Sequence, residues 1–108
     1  MRLIQHINET KVYLDDVRQS PKGWILVKNP TDMINLLKKN NVTEISLDHD
    51  LGDDKNIGTG YDVLLWIEEK VFKDKSFKVP KISIHTSNPS ARKKMELALK
   101  SIERIISK

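Results

Sequence analysis

Cysteine is absent from this chain of 108 residues. That excludes a disulfide framework, a thiol nucleophile and a thiolate metal site, and it fits a reducing compartment. Long hydrophobic runs are missing too. No stretch approaches the ~18 apolar residues of a membrane helix. The opening Met1–Ile7 is too short and polar for a secretory signal. A soluble, cytoplasmic protein with no membrane partner is expected. Glycine and proline number four each, and no repeat, low-complexity segment or linker breaks the chain. One domain is expected over residues 1–108, large enough for a core without covalent staples.

Charge is present but unevenly spread. The net charge is +4, with a pI near 9.3. Asp15, Asp16, Asp48, Asp50, Asp53 and Asp54 hold much of the negative charge, while lysines run through the rest. A basic body around an acidic centre suits a phosphate-bearing ligand held through a cation. An ordinary solvated lysine surface gives the same balance.

Three short apolar runs end in polar residues. Val12–Leu14 runs into Asp15-Asp16, Ile45–Leu47 into Asp48-His49-Asp50, and Ile82–Ile84 into His85-Thr86-Ser87. Buried strands leaving a core look like this, and open α/β sheets bind ligands at the carboxyl ends of their strands. Between the runs lie helix signals. Asn29-Pro30 with Asp32, Thr59 with Asp62, and Asn88-Pro89 each pair a cap with a suitable first turn. Apolar residues follow at helical spacing, as at Val63, Leu64, Ile67 and Val71, and from Met95 to Ile106. The first of these helices is expected to end at Asn40-Asn41. Met1–Ile7 alternates weakly, as an edge strand does. Alternating strands and helices predict a mainly parallel sheet. Trp24–Val27 also reads as a strand, yet Val17–Gly23 is too short to bring it back through a helix. An extended return, an antiparallel strand and a displaced strand all remain open.

Taken together, the motifs resemble a divergent branch of the receiver fold, the cyclic-phosphate processing receiver domain family. Its pattern is carried by Leu14-Asp15-Asp16-Val17-Arg18, Ser46–Gly52, Thr59-Gly60-Tyr61-Asp62 and His85-Thr86-Ser87-Asn88-Pro89, with Arg92 and Met95. The likeness runs from about Lys11 to Ile102. It implies a receiver-like (flavodoxin-like) three-layer α/β fold, here without the first receiver helix and the last strand. It also implies action on cyclic phosphates, in nucleotide signalling or in phage defence or anti-defence. The strand-borne lysine that receivers use beside a phosphorylated aspartate has no counterpart.

Chemistry can then be assigned to residue types. Close carboxylates raise each other's pKa unless a cation neutralises them. Asp15, Asp16 and Asp48 are therefore candidate ligands for Mg²⁺ or Mn²⁺, with Asp50 joining if it shares their face. Zn²⁺ or Fe²⁺ would draw on imidazole. His49 and His85 are candidate proton carriers or metal ligands, beside a catalytic Asp48. Arg18 and Arg92 suit a phosphate clamp, and Thr86, Ser87 and Asn88 form a helix N-terminus suited to phosphate. Plain capping, or pairing of either arginine with Asp15 or Asp50, is the competing account. Trp24 and Trp66 are expected in the core, though either can stack on a base. The leading expectation is a metal-dependent phosphodiesterase opening a cyclic phosphate of a nucleotide or RNA end. A non-catalytic nucleotide- or protein-binding module, and a phosphoacceptor using Asp48, are the alternatives.

Overall fold

The computed structural model describes residues 9–39, 41–53 and 55–107. The edge strand expected at Met1–Ile7, and Asn40 and Asp54, lie outside them. The described chain runs β1 (Thr10–Leu14), β2 (Ile25–Val27), α1 (Pro30–Leu37), β3 (Val42–Leu47), α2 (Gly60–Lys73), β4 (Lys81–Ile84) and α3 (Pro89–Ile106).

All four strands are parallel, in the order β2-β1-β3-β4. The undecided strand is therefore a parallel edge strand, and it omits Trp24. It needs no returning helix because only Val12–Leu14 pair with it. An extended chain gains roughly 3.3 Å per residue, so the loop from Asp15 to Trp24 easily doubles back over so short a ladder.

Alternation along the strands decides what is buried. Val12, Leu14, Ile45 and Leu47 are fully buried against Met33 and Leu37 of α1, Val63, Leu64 and Ile67 of α2, and Met95 and Ile102 of α3. The intervening residues Lys11, Tyr13, Glu44, Ser46, Lys81 and Ser83 point to the other face of the sheet. Connections from β2 to β3 and from β3 to β4 run the same way across the sheet, so right-handed crossovers put α1 and α2 on one side. Helix α3 packs beside α2. The expected three layers are thus realised on one side only. Among the described residues no helix covers the second face, which follows from the missing helix between β1 and β2.

The helix signals act as expected at their starts. Asn29 accepts from the Asp32 amide at 2.8 Å, the Thr59 amide donates to Asp62 at 2.9 Å, and Asn88 accepts from the Ala91 amide at 3.1 Å. Helix α1 stops at Leu37, with Lys38 as its C-cap, short of the asparagines. Trp66 packs against the core and meets Phe77 edge-on. Trp24 does not join the core. It sits half-buried with its ring edge-on to Tyr13 and Lys11 over its face. No helix among the described residues is long and apolar enough to cross a membrane.

Candidate metal and phosphate site

Each strand hands its ladder on by one residue. The Asp15 amide donates to Val27 O, the Asp48 amide to Leu14 O, and the His85 amide to Leu47 O. These bonds fix three side chains at one level, on the sheet face opposite the helices. Gly60 secures the middle one. A Cβ there would lie 1.9 Å from the Asp48 carbonyl oxygen, so only glycine lets α2 begin against that backbone.

Asp15, Asp48 and His85 consequently form one cluster, each offering a ligand atom within 4.8 Å of the others. Asp15 is 1 % exposed and Asp48 7 %. Asp15 Oδ1 accepts from the Val17 and Arg18 amides, both at 2.9 Å. Its Oδ2 accepts from Arg18 Nη1 at 2.9 Å and meets His85 Nε2 at 3.0 Å. Arg18 Nη1 also lies 3.8 Å from Asp48 Oδ2. Burial pushes the Asp15 carboxyl up, but the two amides, the guanidinium and the imidazole outweigh it and hold it below its ordinary value.

The other ring nitrogen of His85, Nδ1, is 2.7 Å from Ser46 Oγ, and Tyr13 stacks on the imidazole with centroids 4.3 Å apart and planes 2° from parallel. Ser46 and Tyr13 escaped the sequence reading. The available signal was alternation, which puts both on the face carrying His85.

The remaining acids lie close by but apart from this cluster. Asp16, half-buried, and Asp50, exposed, line a cleft of about 440 Å³ with Asp15, Arg18, Asp48, Gly52 and Ser87. Asp50 does not continue strand β3, because the chain leaves the ladder after Leu47. It pairs instead with His49 Nδ1 at 2.8 Å and with the Asn88 amide group at 3.4 Å. The histidine bond is the main cause of its lowered pKa. His49 is buried, and its Nε2 has neither solvent contact nor a hydrogen-bond partner in the structure. Arg92 donates to the Thr86 carbonyl at 3.1 Å and lies 3.9 Å from Glu96. It braces the turn before α3 rather than joining Arg18. Thr86 is buried, and its hydroxyl accepts from the Asn88 amide. Asp53 is exposed.

Another cavity, of about 360 Å³, is lined by Lys38, Trp66, Lys70 and Phe77. It sits at the far end of α2, roughly 20 Å of helix away from Gly60, and has no acid–histidine cluster.

A family model for the cyclic-phosphate processing receiver domain matches residues 10–101. The chain belongs to that family. No curated protein and no solved structure matches it. The match spans all seven described elements up to the last turns of α3, so the receiver domain and the carboxylate cluster coincide.

The donor set of this receiver domain fits a divalent ion. Two carboxylates and one imidazole suit Mn²⁺, Fe²⁺ or Zn²⁺ at least as well as Mg²⁺, which prefers oxygen throughout. Metal-bound histidines usually give their second ring nitrogen a fixed partner, and Ser46 on Nδ1 would be that partner for an ion held by His85.

Proposed function

We propose that this domain is a metal-dependent phosphodiesterase that hydrolyses a cyclic phosphate on a nucleotide or RNA end. The observation that carries the reading is the convergence of Asp15, Asp48 and His85 within 4.8 Å, with Arg18 beside them, in a chain of a cyclic-phosphate family. Asp15, Asp48 and His85 would hold the ion, and bound there it would polarise the phosphoryl group and activate water. Hydrolysis adds water to phosphorus and breaks one ring P–O bond. The departing oxygen takes a proton, leaving an open phosphomonoester.

The chain's own groups divide that work. Arg18 offsets charge on the phosphate as it builds. Ser46 and Tyr13 hold the His85 ring. Asp50, fixed at the rim by His49 and Asn88, orients water at the phosphate, and the departing oxygen takes its proton from solvent. In this reading His49 acts through Asp50, because its Nε2 is buried while its Nδ1 holds the Asp50 carboxylate.

The test is a hydrolysis screen of 2′,3′-cyclic nucleotides, 3′,5′-cyclic nucleotides and cyclic RNA ends with Mg²⁺, Mn²⁺, Fe²⁺ and Zn²⁺. Turnover with one ion that disappears in Asp48→Asn is the expected result. Divalent binding without turnover of any cyclic phosphate would favour the non-catalytic module. A lasting gain of one phosphate in mass after treatment with a small phosphodonor, lost in Asp48→Asn, would favour the phosphoacceptor.

A further inference from the structure

Arg18 already occupies the place between the two buried carboxylates. Its Nη1 is 2.9 Å from Asp15 Oδ2 and 3.8 Å from Asp48 Oδ2. Among the described residues it is the only lysine or arginine within 4.0 Å of either carboxylate. Two carboxylates this close, both nearly out of solvent, need a positive charge. Arg18 meets that need with the chain's own atoms.

A divalent ion on the same pair would sit about 2.1–2.5 Å from the oxygens it bound. The guanidinium, 2.9 Å from one of those oxygens, would then face a like charge at close range. The backbone leaves it free to move. The Arg18 amide is tied to Asp15 Oδ1, while its side chain is 47 % exposed. Rotation of the side chain alone can carry the guanidinium out over the cleft, with the turn from Asp15 to Arg18 intact. The cleft is lined by Arg18 itself and by Ser87, and a phosphate there would meet a fork of donors suited to it.

We propose that Arg18 is an exchangeable counterion of the Asp15–Asp48 pair, which binds the carboxylates before an ion enters and passes to the substrate phosphate when one does. This rests on the metal-dependent reading above and adds a coupling to it. Ion and guanidinium compete for the carboxylates, so ion binding frees the group that receives the phosphate. Ion and phosphate should then bind cooperatively through Arg18, and by linkage the coupling is reciprocal.

Calorimetric titration with Mn²⁺ alone, inorganic phosphate alone, and each in the presence of the other tests the exchange. The proteins are the wild type, Arg18→Ala and Arg18→Gln. An ion pair open to solvent on its arginine side is weak, so Mn²⁺ should bind both variants only up to ~5-fold more tightly than the wild type. Without Mn²⁺ both should melt lower than the wild type, and saturating Mn²⁺ should remove that deficit. Phosphate should bind the wild type better with Mn²⁺ than without, and that gain should shrink in the variants. Arg18→Gln keeps a neutral, hydrogen-bonding side chain in the turn, so it reports even if Arg18→Ala folds poorly. Equal or weaker Mn²⁺ binding by the variants overturns the exchange while the metal reading stands. Absence of Mn²⁺ binding in all three proteins overturns both.

Discussion

Two acid–histidine pairs stand at neighbouring strand exits, and their burial is inverted. At the exits of β1 and β4 the acid of the Asp15–His85 pair is 1 % exposed at its side chain and the histidine 18 %. After β3 the His49–Asp50 pair has its histidine 9 % exposed and its acid 54 %. The same two residue types thus serve different ends. Burying the carboxylate beside a second one, Asp48, creates a demand for positive charge that an ion, an arginine or an imidazole can meet. Burying the imidazole creates no such demand, because its Nδ1 is bonded to the solvent-exposed Asp50 carboxylate. The first arrangement is built for a cation, and the second fastens a loop and orients a rim carboxylate.

Replacing one histidine and then the other sharpens this contrast most. His85→Ala should lower turnover of a cyclic phosphate by ~10²-fold and weaken Mn²⁺ binding by a similar factor, since a ligand is lost. The domain should still fold, because His85 lies past the apolar part of β4. Circular dichroism, Mn²⁺ titration and turnover on one preparation separate these effects. Unchanged Mn²⁺ affinity would move His85 out of the ion site.

His49→Ala should do the opposite. Its ring is buried, so truncation leaves a hole and costs about 2 kcal/mol. Urea denaturation reads that loss. Mn²⁺ affinity should stay near the wild-type value, and turnover should fall only as far as Asp50 loses its hold. A drop in Mn²⁺ affinity matching that of His85→Ala would erase the distinction between the pairs.

This is also where the sequence was and was not legible. Strand ends carrying acids were readable because apolar runs stop abruptly at Asp15, Asp48 and His85. The helix starts were readable because Asn29, Thr59 and Asn88 cap through local hydrogen bonds. The direction of β2 was not, because pairing of three residues is decided by a loop whose path leaves no periodic trace. The roles of His49 and Arg92 depend on which way a side chain turns after its element ends, and spacing carries no such information. Placing Asp50 on the metal face needs β3 to run three residues past its end at Leu47. Ser46 was hidden because a serine inside a strand looks like a weak strand residue until its neighbour across the ladder is known.

Ser46→Ala tests that hidden contact with a smaller effect. Loss of the partner of a metal-bound histidine typically costs about 10- to 100-fold in affinity. Tyr13 still packs on the ring, so a value near ~10-fold is expected for Mn²⁺. Stability in a chelator should barely change. An unaltered Mn²⁺ affinity would show that Tyr13 stacking alone fixes the imidazole.

The two pairs should differ last in their response to acid. Both Asp15 and Asp50 have carboxyl groups held below the ordinary value of 3.8. For Asp15 burial pulls upward but loses to four hydrogen bonds. For Asp50 the His49 bond dominates. A carboxyl whose folded pKa is depressed binds its proton more readily in the unfolded chain. Its contribution is therefore complete above about 3.8 and lost as pH falls through the lower folded value. Below pH ~4 the urea midpoint of the chelated protein should fall, and Asp15→Asn should flatten that fall. Asp50→Asn should flatten it less, because solvent screens a half-exposed pair. Midpoints measured in steps from pH 6 to pH 2 give the two slopes directly. Equal flattening would mean that the buried carboxylate is no more strongly held than the exposed one, and the inversion in burial would carry no energetic difference.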